Sequence, residues 1–354
     1  METPQDLMCS VRARGDQRMM PRLTDHEQEL LRRVDAWSGP FDLGELDDQS
    51  LARISRSEGV DFATALLYRA IRVSADHAAF VERMEAMWDQ TSPVCNQLDA
   101  AFVIAPGAFY REHPETGADG RRLCDLAASL GCRSYMIPTH SVGSAEVNGR
   151  IICDWLQRES EQNIILCSLS KGGADVKMAM ADPRAPTAFR HVLAWLNVGG
   201  ITAGSPMASW VVERPWLAQL YRALFWWRGH DFAFVEKLVR RPGSSLDAQP
   251  SLPPHTRVIH VLGFPLARHI RRRQTRRWHR RLSRDGPNDG ATVLADSCRL
   301  PGLILPVWGA DHYFETKPTR EMLLGALLRY LGEERDLFQQ AGPITPSPGT
   351  SVVA

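Results

Sequence analysis

The sequence has no apolar run approaching the roughly 18 residues needed to cross a bilayer. Its opening, Met1-Glu2-Thr3-Pro4-Gln5-Asp6-Leu7, carries acids where a signal peptide needs an apolar core. On these two absences no integral membrane segment and no secretory leader are expected, and a soluble, cytoplasmic protein is. Net charge is nearly absent too. Lys and Arg total 42 against 41 Asp and Glu, leaving +1, so there is no overall pull toward nucleic acid and any basic surface must be local. Lysine is scarce, at positions 171, 177, 237 and 317 alone. The seven cysteines are an odd number, scattered and without a CxxC pair, so no zinc cluster is visible and reduced, buried thiols are expected. No HExxH, Walker loop or early GxGxxG occurs, so no cofactor and no metal are expected.

What is present is core material: 354 residues, 44% of them hydrophobic. Residues 1–95 read as an N-terminal helical extension. Thr24 or Asp25 caps a first helix that runs to Trp37, a second tract runs from Asp47-Asp48 to Arg56, and Ala63, Leu66, Leu67 and Ile71 recur at helical spacing ahead of a last tract over Ala75–Trp88. This extension reads as a helical cap, a dimerisation arm or a substrate-channel element, with simple packing against the main domain as the plain alternative. From Asp99 the pattern changes to short apolar strands alternating with helices, at 100–105, 133–137, 163–168, 191–198, 257–262 and 303–307. That alternation predicts an α/β domain over 96–338, with a mostly parallel sheet covered on both faces. A last helix is expected from Pro318 or Thr319 to Leu331, then a disordered tail over 339–354, rich in Pro, Gly, Ser and Thr.

The sharpest local signal is Cys167-Ser168-Leu169-Ser170-Lys171-Gly172-Gly173, where a buried strand turns at once into a helix. Small residues two before and two after Ser170 suit a nucleophile elbow, whose strained turn lifts the central side chain above the sheet. A serine nucleophile needs a base and an orienting acid. Asp289 lies in the turn-rich Gly286-Pro287-Asn288-Asp289-Gly290, and His312 closes the segment after the strand at 303–307; Ser, Asp, His is the chain order of a triad. Among eleven histidines, His140 and His260 compete with His312, but His260 falls inside a strand. Asp311 competes with Asp289, but its adjacent side chain points away from His312. For a tetrahedral oxyanion, the Lys171 amide and one from Pro106-Gly107-Ala108-Phe109-Tyr110 would serve, with Ala108 or Phe109 as second donor.

These segments together resemble the α/β-hydrolase superfamily, in its lipase and esterase-like branch, over about residues 99–335. Ser168-Leu169-Ser170-Lys171-Gly172-Gly173 is similar to the elbow, Pro106-Gly107-Ala108-Phe109 to the oxyanion loop and Asn288-Asp289-Gly290 to the acid loop. Bacterial lipases carry a similar Asn-Asp-Gly a little over twenty residues before their histidine, and here Asp289 stands 23 positions before His312. Some of them bind calcium through an Asp two positions after that histidine; Phe314 occupies the place here, so a calcium site is not implied. The resemblance implies a serine hydrolase of a carboxylic ester or thioester with an apolar acyl group. A non-catalytic scaffold that binds an acyl or polyketide ligand or a partner protein, and an acyltransferase using the same triad, remain alternatives.

Two stretches fall outside the minimal pattern. A cap insertion at about 203–245 is rich in aromatics, among them Trp210, Trp216, Phe225, Trp226, Trp227, Phe232 and Phe234, and suits a roof over an apolar pocket. Trp226 and Trp227 cannot both face one way on a helix, so at least one should meet the pocket, the helical arm or a partner. Residues Arg268–Arg284 hold nine arginines, which fit either a solvated helix or a surface for RNA, an anionic lipid, an acidic acyl-carrier protein or the acidic face of another subunit. Nucleic acid is disfavoured because no recognition module accompanies them. A homo-oligomer remains open.

Overall fold

Local signals start the first helices among the described residues. Thr24 Oγ1 accepts from the Glu27 amide while the Glu27 carboxylate accepts from the Thr24 amide, a capping box that opens α1 (Asp25–Asp35). Asp47 accepts from the Ser50 amide and opens α2 (Asp48–Ser57). Two further helices follow, α3 (Val60–Val73) and α4 (Ala78–Trp88). This computed structural model describes residues 23–88, 99–247, 250, 253–316 and 318–340. The expectations for residues 1–22 and 341–354, and for the end of the helical extension at 95, fall outside the described residues.

Short buried runs then alternate with helices: β1 (Ala101–Ala105), α5 (Arg121–Ser129), β2 (Arg133–Met136), α6 (Ala145–Arg158), β3 (Ile164–Leu169), α7 (Gly172–Met180) and β4 (Val192–Val198). After β4 the chain leaves the sheet as α8 (Pro206–Val212), α9 (Pro215–Trp227) and α10 (Ala233–Lys237), and returns as β5 (Arg257–Phe264). It ends with α11 (Arg273–Leu282), α12 (Leu294–Cys298), β6 (Leu303–Trp308) and α13 (Arg320–Gln340). The six strands pair in the order β2-β1-β3-β4-β5-β6, all parallel.

Period-two alternation assigns the strand side chains to two faces. Phe102, Ile104, Ile165, Leu196, Val261 and Leu305 pack with α4, α5 and α13 on one face. Val103, Leu166 and Trp195 pack with α6 and α7 on the other. On that second face, over β5 and β6, the helices α1 to α3 take the next place in the layer and share a core with Leu262, Phe264, Ile304 and Trp308.

The last helix does not stop at Leu331. It continues through Gln340, because Gly332 is carried inside it and ion pairs from Arg83 to Glu333 and Arg257 to Glu334 hold its second half. Residues 339 and 340 are therefore helix, not tail. The thiols of Cys124, Cys132, Cys153, Cys167 and Cys298 are free, and the last three titrate well above the ordinary range because burial disfavours the thiolate. No helix among the described residues is long and apolar enough to cross a membrane.

Candidate active site

The elbow is built from backbone that only small residues permit. Ser170 adopts φ 50° between β3 and α7, a left-handed conformation uncommon for a side-chain-bearing residue. It is held from both sides: its amide donates to the Val198 carbonyl, and its own carbonyl accepts from the amides of Gly173 and Ile201. A Cβ on Gly172 would stand 2.3 Å from the Ala105 carbonyl oxygen, so α7 could not approach β1 with any other residue there. Below the turn, Ser168 is level with Asn197 on β4, and Asn197 with His260 on β5. Ser168 Oγ donates to Asn197 Oδ1 and accepts from Trp195 Nε1, and Asn197 Nδ2 donates to His260 Nδ1. His260 Nε2 reaches the Pro301 carbonyl at 3.3 Å. Burial holds this His260 down at about 4, a neutral structural ring as its strand position implied.

Three chain-distant side chains meet above this ladder. His312 Nε2 lies 3.0 Å from Ser170 Oγ, and His312 Nδ1 lies 2.8 Å from Asp289 Oδ2. The second oxygen, Asp289 Oδ1, accepts from the amides of Ala291 at 2.8 Å and Thr292 at 2.6 Å. Burial pushes the Asp289 carboxyl up, but the facing His312 ring and those two amides outweigh it, so the group stays below its ordinary value. The His312 amide donates to the Asp289 carbonyl, which joins the two loops at the backbone as well. Gly199 passes beneath, where a Cβ would lie 3.5 Å from His312 Nδ1.

The competing residues separate. Asp311 accepts from the Tyr313 amide and makes no bond to His312, and His140 is exposed, with its backbone engaged by Asn148 and the Gly143 amide.

The loop after β1 decides between the two expected second donors. The Phe109 amide donates to the Ser141 carbonyl, with Phe109 itself at φ 56°, and the Gly107 amide donates to the Ala118 carbonyl. Phe109 is corrected as a donor for this reason. Among the described residues the amides of Ala108 and Lys171 donate to no carbonyl, and Gly107 brings the loop against the elbow, where its Cβ would lie 3.5 Å from Ser170 Cβ.

The superposition on solved structures agrees with this architecture. A metagenomic carboxyl esterase matches with a TM-score of 0.52 at 21% identity, over 66% of this chain and 76% of that one. The chain has the α/β-hydrolase fold. Looser likenesses are the mature form of a Bacillus licheniformis lipase (TM-score 0.42, 18% identity, 71% of this chain and 94% of that one) and carboxylesterase CesB from Bacillus subtilis (TM-score 0.31, 14% identity, 70% and 85%). No protein-family model and no curated protein sequence matches the chain.

Within the α/β-hydrolase fold two further features that support the site escaped sequence reasoning, the Lys171 ammonium and Arg320. Lys171, expected only for its amide, also buries its ammonium 2.7 Å from the buried Asp175 carboxylate, which Asn148 holds in turn. The i,i+4 spacing of Lys171, the N-cap of α7, and Asp175 was the available signal. Arg320, at the start of α13, donates to the carbonyls of His312 and Gly117 and ties the histidine loop to the loop behind Gly107. No sequence pattern marks it. In the cap, Phe225, Phe232 and Phe234 gather in one core, with Phe109 against Phe234 at 5.6 Å and Phe225 at 6.4 Å between ring centroids. Trp226 and Trp227 are both exposed, so neither meets the arm or roofs a pocket; the turn of α9 that buries Phe225 carries both of them outward. Among the described residues no cluster of His, Cys, Asp and Glu could hold a metal.

Proposed function

We propose that this protein is a serine hydrolase of carboxylic esters or thioesters, acting through Ser170, His312 and Asp289. The observation that carries the reading is the unbroken relay from Ser170 Oγ through both ring nitrogens of His312 to the buried Asp289 carboxylate. In the reaction, His312 Nε2 takes the Ser170 proton as Oγ attacks the acyl carbon. Asp289 holds the ring in the tautomer with its proton on Nδ1 and stabilises the imidazolium that forms. The amides of Ala108 and Lys171 then donate to the tetrahedral oxyanion. His312 returns the proton to the departing alkoxide or thiolate, which leaves an acyl-Ser170. Water, deprotonated by the same ring, adds to this ester and releases the acid with Ser170 restored. Phe109 and the Phe225–Phe234 cluster beside the oxyanion loop favour an apolar acyl group.

The test needs no knowledge of the substrate. Intact-mass measurement after treatment with a small fluorophosphonate should show a single adduct on the wild type and none on Ser170→Ala. The same substitution should lower turnover of short acyl esters by more than about a thousandfold. An adduct of equal yield on Ser170→Ala, or none on a folded wild type, overturns the proposal.

A further inference from the structure

The cap helix α9 carries two apolar faces, and only one of them is covered. Leu217, Ala218 and Phe225 turn into the cap core, with Tyr221 half-buried between them. On the opposite side Trp216, Leu220, Leu224 and Trp227 recur at intervals of about one turn, with Trp226 beside them. Trp216 is 68% exposed, Trp226 81% and Trp227 75%. Of the nine large apolar side chains exposed in this way among the described residues, five are on this one helix. Its only charged side chain is Arg222, and Arg214 and Arg228 flank it.

The start of α9 adjoins a basic cleft. Trp210, on α8, lies between the guanidinium groups of Arg214 and Arg281, at 4.8 and 3.9 Å from its ring centroid, with Trp278 of α11 edge-on at 5.7 Å. A cleft of about 320 Å³ opens between α8 and α11, lined among others by Arg214, Arg240, Arg281 and Arg284. Glu213 and Asp285 also line it. Arg240 is committed to Asp296 and Asp48. Among the described residues Arg214, Arg281 and Arg284 face no carboxylate at ion-pair distance, and neither does the exposed Arg277 one turn before Arg281. Arginines that outnumber the cleft's two acids and make no contact ion pair, next to exposed tryptophan, are the composition of a surface that meets charge and hydrocarbon together.

We infer that α9 and the α8–α11 cleft together form a docking surface for an anionic phospholipid bilayer, with Trp216, Leu220, Leu224, Trp226 and Trp227 entering the interface and the cleft arginines holding lipid phosphates. Charge selects this occupant over a second copy of the chain, since a two-fold interface through this patch would bring the same arginines face to face. Geometry selects it over a folded acidic protein. Trp226 and Trp227 are successive on a helix and diverge by about 100°, so a rigid partner would need two separate pockets, whereas a fluid interface receives both rings. The inference does not depend on Ser170 chemistry.

Flotation of the full-length protein with extruded vesicles tests it. The protein should float with phosphatidylcholine vesicles containing phosphatidylglycerol, and bind at least about tenfold more weakly to phosphatidylcholine alone. The triple variant Trp216→Ser, Trp226→Ser, Trp227→Ser should lose flotation, and so should Arg277→Gln, Arg281→Gln, Arg284→Gln. Both variants should keep the wild-type far-ultraviolet circular dichroism spectrum and thermal midpoint, which separates lost docking from lost folding. Failure to float with anionic vesicles overturns the inference, as does equal binding to neutral ones or undiminished binding by a folded tryptophan variant. A lipid-free dimer that the tryptophan variant dissociates would assign the face to a second copy instead. Binding to an acidic acyl-carrier protein in the absence of any vesicle binding would assign it to that partner.

Discussion

Ser170 can stand in its strained turn because Gly172 and Gly173, two and three positions on, carry no side chains. The backbone of α7 crosses the end of β1 so closely that a methyl group on Gly172 would overlap the carbonyl oxygens of Ala105, at 2.3 Å, and Pro106, at 2.8 Å. Neither oxygen can move without disturbing the end of β1 or the loop that leaves it. Gly172→Ala should therefore cost about 1–3 kcal/mol in urea unfolding and slow fluorophosphonate labelling, because relief of the overlap moves Ser170. Gly325 is the contrast. It lies inside α13, and a Cβ there meets nothing within 4 Å. Gly325→Ala should raise stability by roughly 0.5–1 kcal/mol and leave labelling unchanged. Equal effects from both substitutions would show that close approach is not what Gly172 supplies.

At the level of elements, much was legible because the signals are local. The capping residues Thr24 and Asp47, the alternation of buried runs with amphipathic helices and the small residues around Ser170 each act within a few positions, and the observed elements start where those signals stand. The pairing of Asp289 with His312 followed from chain order and from turn residues that confine a carboxylate. Other features depend on what the chain meets in space. Nothing local to residues 25–73 announces that these helices complete the layer over β5 and β6, and nothing near Phe109 announces that Ser141 takes its amide. The cap is anchored by one such long-range contact. Arg240 donates to both oxygens of Asp296 on α12 and to Asp48 at the start of α2, so one guanidinium joins three elements. Burial pushes the Asp296 carboxyl up even with Arg240 present, and Arg240→Ala would strand that charge. The expected loss is about 2–3 kcal/mol, the lower part of the range for a broken buried pair because Arg240 is a quarter exposed. Adding Asp296→Asn to Arg240→Ala should recover a good part of it in a double-mutant cycle; strictly additive costs would mean the pair is not coupled.

For the whole molecule, the polar ladder inside the sheet makes stability depend on pH. His260 is fully buried between Asn197 and the Pro301 carbonyl, and burial lowers it from the ordinary 6.5 to about 4. In the unfolded chain the ring protonates near 6.5, while in the folded protein it stays neutral until about 4. Its contribution is thus complete above pH 6.5 and is lost as pH falls toward 4, since in that window the unfolded state binds the extra proton. Integrated from pH 7 to pH 5, the loss is about 2 kcal/mol. His77, His269 and His279 are lowered by burial too and act in the same direction. Asp175, pushed up to about 6 by burial, opposes them, because its folded form takes a proton in this range before the unfolded one does. Comparison with His260→Gln removes all these common terms. Whatever that variant costs at pH 7, denaturant unfolding at pH 7 and pH 5 should show the wild type losing about 2 kcal/mol more than the variant over the interval. The same loss in both proteins would mean that His260 titrates alike folded and unfolded, and that the ladder beneath Ser170 is open to water.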